Sequence, residues 1–353
     1  MAKTEKIYSQ IITEWYKIHQ RELPWRETQN PYLIWISEII LQQTRVAQGY
    51  EYYLRFVERF PDIRTLAEAP EDDVLKHWEG LGYYSRARNL HEAARMIVNR
   101  FDGHFPEQYI DILSLKGVGE YTAAAIASFA FGLPYAVLDG NVFRVLARLF
   151  AVKDAIDSGT GKKFFTELAR EILDAGNPAL HNQAIMEFGA LQCVPVNPDC
   201  QACPLQVHCL AYEQGLVAQL PYKKGKTKVS NRYFNYFDIR QGNQFLIRKR
   251  DKEDIWKNLY ELPLIETTTE MEIEELLHSK ALEQLVPDVS SVKIAAIPKL
   301  FKHVLSHRVI YARFYQVEVQ NIHSFEGEYL LVDETAAEKL AFSRLVNRYL
   351  ESR

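Results

Sequence analysis

All four cysteines of this 353-residue chain fall between Cys193 and Cys209, and none occurs elsewhere. A chain with cysteines confined to one short stretch is not a disulfide scaffold; it carries a thiolate site. The spacing is Cys193-x6-Cys200-x2-Cys203-x5-Cys209, on a loop that also holds Pro195, Pro198 and Pro204. Two x2 pairs would suggest zinc, whereas a single pair in a staggered run suits a compact loop wrapped around a cubane iron–sulfur cluster. Structural zinc and free thiols stay open as alternatives on spacing alone.

The length exceeds what one hydrophobic core usually organises, which points to two domains. With 47% hydrophobic and 25% charged residues, the composition is that of a globular protein and excludes collagen-like and wholly disordered classes. The net charge of −4 excludes a globally basic coat for nucleic acid, though not a local basic face. The first twenty residues are charged throughout, and no stretch approaches 18 uninterrupted apolar residues. The expectation is a cytoplasmic protein without membrane contact.

Residues 1–215 read as successive helical segments, among them 31–60 as one run, separated by breakers such as Pro24, Pro61, Gly82, Gly117, Gly119 and Gly140. Residues 216–230 form a basic linker with Lys223, Lys224, Lys226 and Lys228, able to lie along a polyanion. From 231 to 353, β-rich runs such as YFNYFDI, QFLIRKR and RVIYARFYQVEV alternate with two helical patterns, EMEIEELLHSKALEQL and AAEKLAFSRLVNRYLE.

Three constellations carry chemistry. Glu38 sits in WISEIILQQT, a helix apolar nearly all round, where burial would raise its pKa and suit it to proton transfer; an exposed strip is the alternative. Asp139 precedes Gly140-Asn141 and a helical pattern, so it is expected to cap that helix, with its pKa pushed down by amide bonds and the dipole. Such a pair divides acid and anion roles, as in glycoside cleavage. In LKGVGEYTA, Gly117 and Gly119 form a tight turn between helical patterns, whose amides can hold a phosphate oxygen, although such glycines are more often caps. Planar and amide side chains form the third set: Trp25, Arg26, Gln42, Gln43 and Thr44, then Tyr83 and Tyr84 in a glycine-rich loop. Tyr83 could wedge into a base stack, with Arg86 and Arg88 meeting phosphates.

Taken in order, SEIILQQT, WEGLGYYSRARN, LKGVGEYTA, LDGNVFRV, MEFGALQC and the cysteine run resemble the helix-hairpin-helix DNA glycosylase superfamily with its [4Fe-4S] loop, over nearly all of residues 20–212. Within it the likeness is to adenine DNA glycosylases of the MutY type. Tyr121 stands where endonuclease III-like relatives carry a lysine that attacks the sugar, and the chain continues well past the cysteines. FLIRKR, IWKNLYELP and FKHVLSHRVIYARF resemble the Nudix-like recognition domain of that family. The implied architecture is multidomain: an all-α helix-hairpin-helix glycosylase domain with a [4Fe-4S] loop at 193–209, then a C-terminal α/β Nudix-like domain. The latter lacks the glutamate run of a working pyrophosphatase and reads as a reader of 8-oxoguanine through Leu305, Ser306 and His307, with leucine where most relatives carry phenylalanine.

The resemblance implies a monomeric, monofunctional enzyme of base-excision repair, nucleoid-associated in a bacterium. It would act on double-stranded DNA with adenine opposite 8-oxoguanine or guanine. The adenine is flipped into a pocket of Glu38, Tyr121, Asp139 and Arg26. Glu38 protonates N7, Asp139 stabilises the sugar cation, and Tyr121 and Asn141 support. Gln43, Thr44 and Tyr83 contact or wedge the duplex, and Gly117 and Gly119 anchor its backbone. Cys193, Cys200, Cys203 and Cys209 would ligate the cluster. Three rival readings are a lyase for oxidised pyrimidines, a noncatalytic mismatch binder and a nucleotide pyrophosphatase.

Overall fold

A computed structural model describes residues 2–225, 229–251, 253–286, 292–322 and 329–353. Lys226 and Lys228 of the basic linker lie outside the described residues. The chain divides into two compact units: residues 1–68 with 89–225, and residues 69–88 with 226–353.

The first unit is helical. It contains α1 (Ala2–His19), α2 (Pro31–Leu41), α3 (Val46–Arg59), α4 (Ile63–Glu68), most of α6 (Ser85–Phe101), α7 (Tyr109–Leu113), α8 (Glu120–Phe131), α9 (Gly140–Leu149), α10 (Gly159–Ile172), α11 (Pro178–Leu191) and α12 (Leu210–Glu213), whereas α5 (Glu71–His77) belongs to the second. The sequence pattern predicts one helix over 31–60, but two form. Residues 42–45 break the run, with Gln43 in the left-handed region at φ 57°, and α3 folds back against α2. The helix-hairpin-helix is α7, a turn at 114–119 and α8. Gly117 has φ 74°, and a Cβ there would lie 2.7 Å from that of Asn89, so both backbone and space demand glycine.

One core of this unit gathers Ile12, Trp15, Tyr16, Val142, Leu146, Phe165, Ile185 and Phe188, so α1, α9, α10 and α11 close on one another. Cys193, Cys203 and Cys209 pack on its edge. Burying such large side chains contributes roughly 1.5–3 kcal/mol each, and the polar residues within the core are therefore held where their partners put them.

The second unit is a mixed sheet. Strands β1 (Ser230–Gln241), β2 (Gln244–Lys249), β3 (Tyr260–Glu261), β4 (Leu264–Thr267), β5 (Lys293–Ala296), β6 (Phe301–Val304), β7 (Arg308–Glu318) and β8 (Leu330–Asp333) run in the order β3-β2-β1-β7-β5, with β4, β6 and β8 paired to β1, β7 and β2. β1 and β7 are parallel, from Ser230 opposite Arg308 to Arg240 opposite Glu318. Alternation puts Phe234, Tyr236 and Phe314 on one face, against Leu345, Val346 and Tyr349, and Phe237, Ile239 and Tyr315 on the other, against Leu276, Leu282 and Leu285.

Each of the two predicted helices here is a pair: α13 (Ile273–Leu277) with α14 (Lys280–Leu285), and α15 (Glu334–Ala337) with α16 (Arg344–Leu350). The reason is local. Ser279 and Ser343 each turn a hydroxyl onto an amide three residues on and start a new helix. Among the described residues no helix is long and apolar enough to cross a membrane.

Candidate active site

In the helical unit, three elements bring together the acids read from the sequence. Glu38 lies on α2, 8% exposed, and accepts a 2.8 Å hydrogen bond from the Tyr121 hydroxyl in the first turn of α8. That hydroxyl also lies 3.4 Å from Sδ of Met186 on α11. Burial pushes the Glu38 carboxyl up to about 7; the Tyr121 bond and the Arg26 charge pull it down, and the nearby Asp139 adds to the rise. Tyr121 itself is raised well above its ordinary value by burial and by Glu38, so it stays a donor.

Asp139 is the N-cap of α9. Its Oδ1 accepts from the amides of Asn141 at 2.9 Å and Val142 at 2.8 Å, and its Oδ2 from Asn141 Nδ2 at 2.8 Å. The expected cap is present, but the expected downward shift is not. Burial outweighs the three bonds, and the Asp139 pKa lies above its ordinary value. All three donors still favour the ionised form. Asn141 is fixed in turn by Arg144, whose Nη2 donates to its Oδ1 at 2.9 Å. Gly189 on α11 meets this turn so closely that a Cβ would lie 2.9 Å from the Asn141 carbonyl oxygen.

Arg26, expected to reach DNA, is occupied. Its Nη1 and Nη2 donate to Glu187 at 3.1 and 2.7 Å, and Arg21 donates to the same carboxylate through Nε at 2.7 Å and Nη2 at 2.5 Å. Burial raises the Glu187 pKa, but the two arginines win and hold it at about 2. Arg26 thus faces Glu38 as a fixed charge. Glu187 was missed in the sequence reading although it stands in MEFGALQC; a glutamate among apolar helix neighbours is the signal that had singled out Glu38.

Gln43 is exposed at its left-handed position; the neighbouring Gln42 Nε2 donates to Thr122 at 3.3 Å, and Thr44 N closes the α2 terminus onto Leu41. At the hairpin, Gly119 starts α8 with no side chain capping it.

Tyr83, Arg86, Ser306 and His307 all belong to the second unit. Tyr83 is 46% exposed with φ 47°, a left-handed conformation that costs a bulky residue energy, and its hydroxyl meets Ser306 Oγ. Ser306 and His307 are exposed in the turn between β6 and β7, while Leu305 packs inward on the sheet's apolar face. Arg86 is turned inward. It is 9% exposed, lies over the Trp78 and Tyr83 rings and donates to the Gly82 carbonyl, and burial lowers its pKa to about 10. It packs beneath the Tyr83 loop, and Arg88 donates to the Lys257 carbonyl.

The four thiols are half-buried. Burial raises the Cys200, Cys203 and Cys209 pKa values, Cys203 to about 11, and charges on neighbouring thiols raise them further. Thiolates formed together on this loop would repel one another, which suits the donor set to a shared cationic centre. Among the described residues, however, no group of three or more His, Cys, Asp or Glu side chains converges as a single metal ion requires. Arg148 ties the start of the loop down, through Nη1 to the Val194 carbonyl at 2.8 Å and Nη2 to that of Pro195 at 3.0 Å.

Residues 36–171 match the family model of the HhH-GPD superfamily of base excision DNA repair proteins, and residues 235–352 match that of the NUDIX domain. Helical fold, hairpin and paired acids thus define the class as DNA glycosylases of base excision repair. An adenine DNA glycosylase of Buchnera aphidicola subsp. Baizongia pistaciae is 35% identical over 330 residues, 92% of this chain and 90% of that protein. One from Mus musculus is 40% identical over 62% of this chain and 44% of its own. The structure of a thermostable thymine-DNA glycosylase aligns over 60% of this chain and 98% of that one, with 31% identity and a TM-score of 0.55. The chain belongs to the adenine DNA glycosylase family and is an enzyme of base excision repair.

Proposed function

We propose that the protein removes adenine from duplex DNA where it pairs with 8-oxoguanine or guanine, by monofunctional hydrolysis of the N-glycosidic bond. In this reading residues 1–215 are the catalytic domain, 216–230 a basic linker and 231–353 the reader of the opposite base. One observation carries it: a buried glutamate with its pKa near neutrality beside an amide-capped aspartate.

The adenine must leave the stack to meet these groups, because a base inside a duplex hides its sugar bond. Gln43 and Tyr83 fill the gap and hold the duplex open. Glu38, protonated at the start, delivers its proton to N7 of the base and turns a poor leaving group into a neutral one. Tyr121, which donates to one carboxyl oxygen, keeps the acid aimed. As the bond lengthens, positive charge grows on the deoxyribose, and the Asp139 carboxylate, held by Asn141 and Val142, stabilises it without having to reorient. Water completes hydrolysis. Tyr121 has no amine, so no Schiff base forms and the backbone is left uncut.

Cys193, Cys200, Cys203 and Cys209 would hold a [4Fe-4S] cluster, which when bound would cross-link the loop and supply structural order. Gly117 and Gly119 with the amides of the α8 N-terminus are the backbone anchor. Ser306 and His307 are the opposite-base contacts, with Leu305 half-buried behind them.

The test is a single-turnover assay of base release from a duplex with adenine opposite 8-oxoguanine, for the native chain and Glu38→Gln. Adenine release that collapses in the variant, with no borohydride-trapped protein–DNA adduct, is expected. Strand cleavage at an oxidised pyrimidine, or binding without base release, would overturn the reading.

A further inference from the structure

Residues 133–138 join α8 to α9 without regular structure and deliver Asp139 to its cap. A segment against the core with no ladder must find other partners for its backbone groups. Asn182, on α11 and 1% exposed, supplies them. Its Oδ1 accepts from the Val137 amide at 3.1 Å, and its Nδ2 donates to the Tyr135 carbonyl at 2.8 Å. One side-chain amide thus bonds this stretch as a neighbouring strand would. Nδ2 also donates to Ser128 Oγ at 3.0 Å, on the helix that carries Tyr121. An acceptor facing an N–H and a donor facing a carbonyl fix the orientation of the amide.

We infer that Asn182 is a positioning residue for base release: it sets where Asp139 enters the cap of α9, and hence how close the carboxylate comes to the sugar cation. The cap bonds from Asn141 and Val142 orient the carboxylate about its own helix, but they move with that helix. The Asn182 bonds reference the loop to α8 and α11 instead, two residues before Asp139. Apolar packing of Val137 tolerates sliding along the loop, whereas paired directional hydrogen bonds do not. The inference rests on the cation-stabilising role proposed for Asp139.

Asn182→Asp keeps shape and acceptor but removes both donors. The experiment measures single-turnover base release by the full chain on saturating duplex. It also measures affinity for two duplexes, one with a cationic pyrrolidine ring in place of the target sugar and one with the neutral tetrahydrofuran ring. Misplacing a catalytic group by about 1 Å costs on the order of 100-fold, so we expect base release to fall roughly 10- to 100-fold. Affinity for the cationic duplex should fall in step while the neutral duplex binds unchanged, a split that loss of stability alone does not produce. Should this variant fail to fold, Asn182→Ser, uncharged and too short to bridge both backbone groups, takes its place with the same expectations. Unchanged base release, or equal loss for both duplexes, overturns the inference. Asp139→Asn run alongside separates the two ideas. If it loses rate and cationic affinity while the Asn182 variant keeps both, only the positioning role fails; if it loses neither, the role of Asp139 fails and the inference with it.

Discussion

The acid pair of the helical unit and the β6–β7 turn of the sheet unit are built on opposite principles. Glu38 is buried and Tyr121 and Asp139 are half-buried, Glu38 accepting from Tyr121 and Asp139 from the turn of its own helix. Ser306 and His307 are exposed and uncrowded, one hydroxyl meeting Tyr83. The difference teaches what each task demands. Moving a proton near neutrality requires a carboxyl that water cannot stabilise as the anion, whereas reading a base requires donors and acceptors that exchange water for the ligand at little cost.

The comparison breaks first at Glu38. Glu38→Gln removes the acid and should slow base release by on the order of 10²- to 10⁴-fold, measured in single turnover; a loss below tenfold would mean that burial at α2 serves packing alone. Asp139→Asn should cost on the order of 10²- to 10³-fold, through weakened stabilisation of the developing cation.

The pH profile sharpens the same contrast. Because the folded Glu38 pKa is about 7, native base release should fall as pH rises through about 7, and Glu38→Gln should show no such limb. Stability has a matching sign. The native fold binds the Glu38 proton more tightly than the unfolded chain does, so its contribution is fully present below the ordinary pKa of 4.5 and is lost as pH rises through about 7. Chemical unfolding at pH 5 and pH 8 should therefore show Glu38→Gln losing less stability across that interval than the native chain, by on the order of 1–3 kcal/mol.

At the other region the effects should be small. Ser306→Ala removes one neutral hydrogen bond, worth about 1 kcal/mol. The preference for 8-oxoguanine over guanine opposite adenine should then drop about fivefold in equilibrium binding, with the rate of base release at saturation unchanged. A large drop in that rate would show that the turn takes part in the chemistry and would dissolve the contrast.

Much of this was legible in the chain. The helix-hairpin-helix was visible because Gly117 and Gly119 interrupt two apolar helices, and the change to a sheet was visible in the period-2 runs after Asn231. The Asp139 cap followed from Asp-Gly-Asn before an amphipathic helix. Some breaks were missed because the local pattern does not settle them. Ser279 and Ser343 sit inside good helical patterns, and whether a serine hydroxyl caps a new helix or faces solvent depends on what the next turn packs against.

Arg86 shows the limit differently. An arginine beside a tyrosine in a glycine-rich loop is compatible with phosphate contact, and only packing over Trp78 and Tyr83 turns it inward. The sequence by itself determined which groups are available: two carboxylates with different local surroundings, a tyrosine after the glycine turn, four clustered thiols and a Leu-Ser-His turn. The tertiary structure decided their ionisation and aim. Glu38 rises to about 7 because packing takes it out of water and brings Asp139 near, against the opposing pull of the Tyr121 bond and the Arg26 charge. Asp139 rises instead of falling because burial outweighs its cap. Arg26 and Asn182 have fixed partners only because α11 packs where its Glu187 meets Arg26 and its Asn182 meets the loop before Asp139. Such shifts depend on distances between segments far apart in the chain, and local pattern carries no information about those distances.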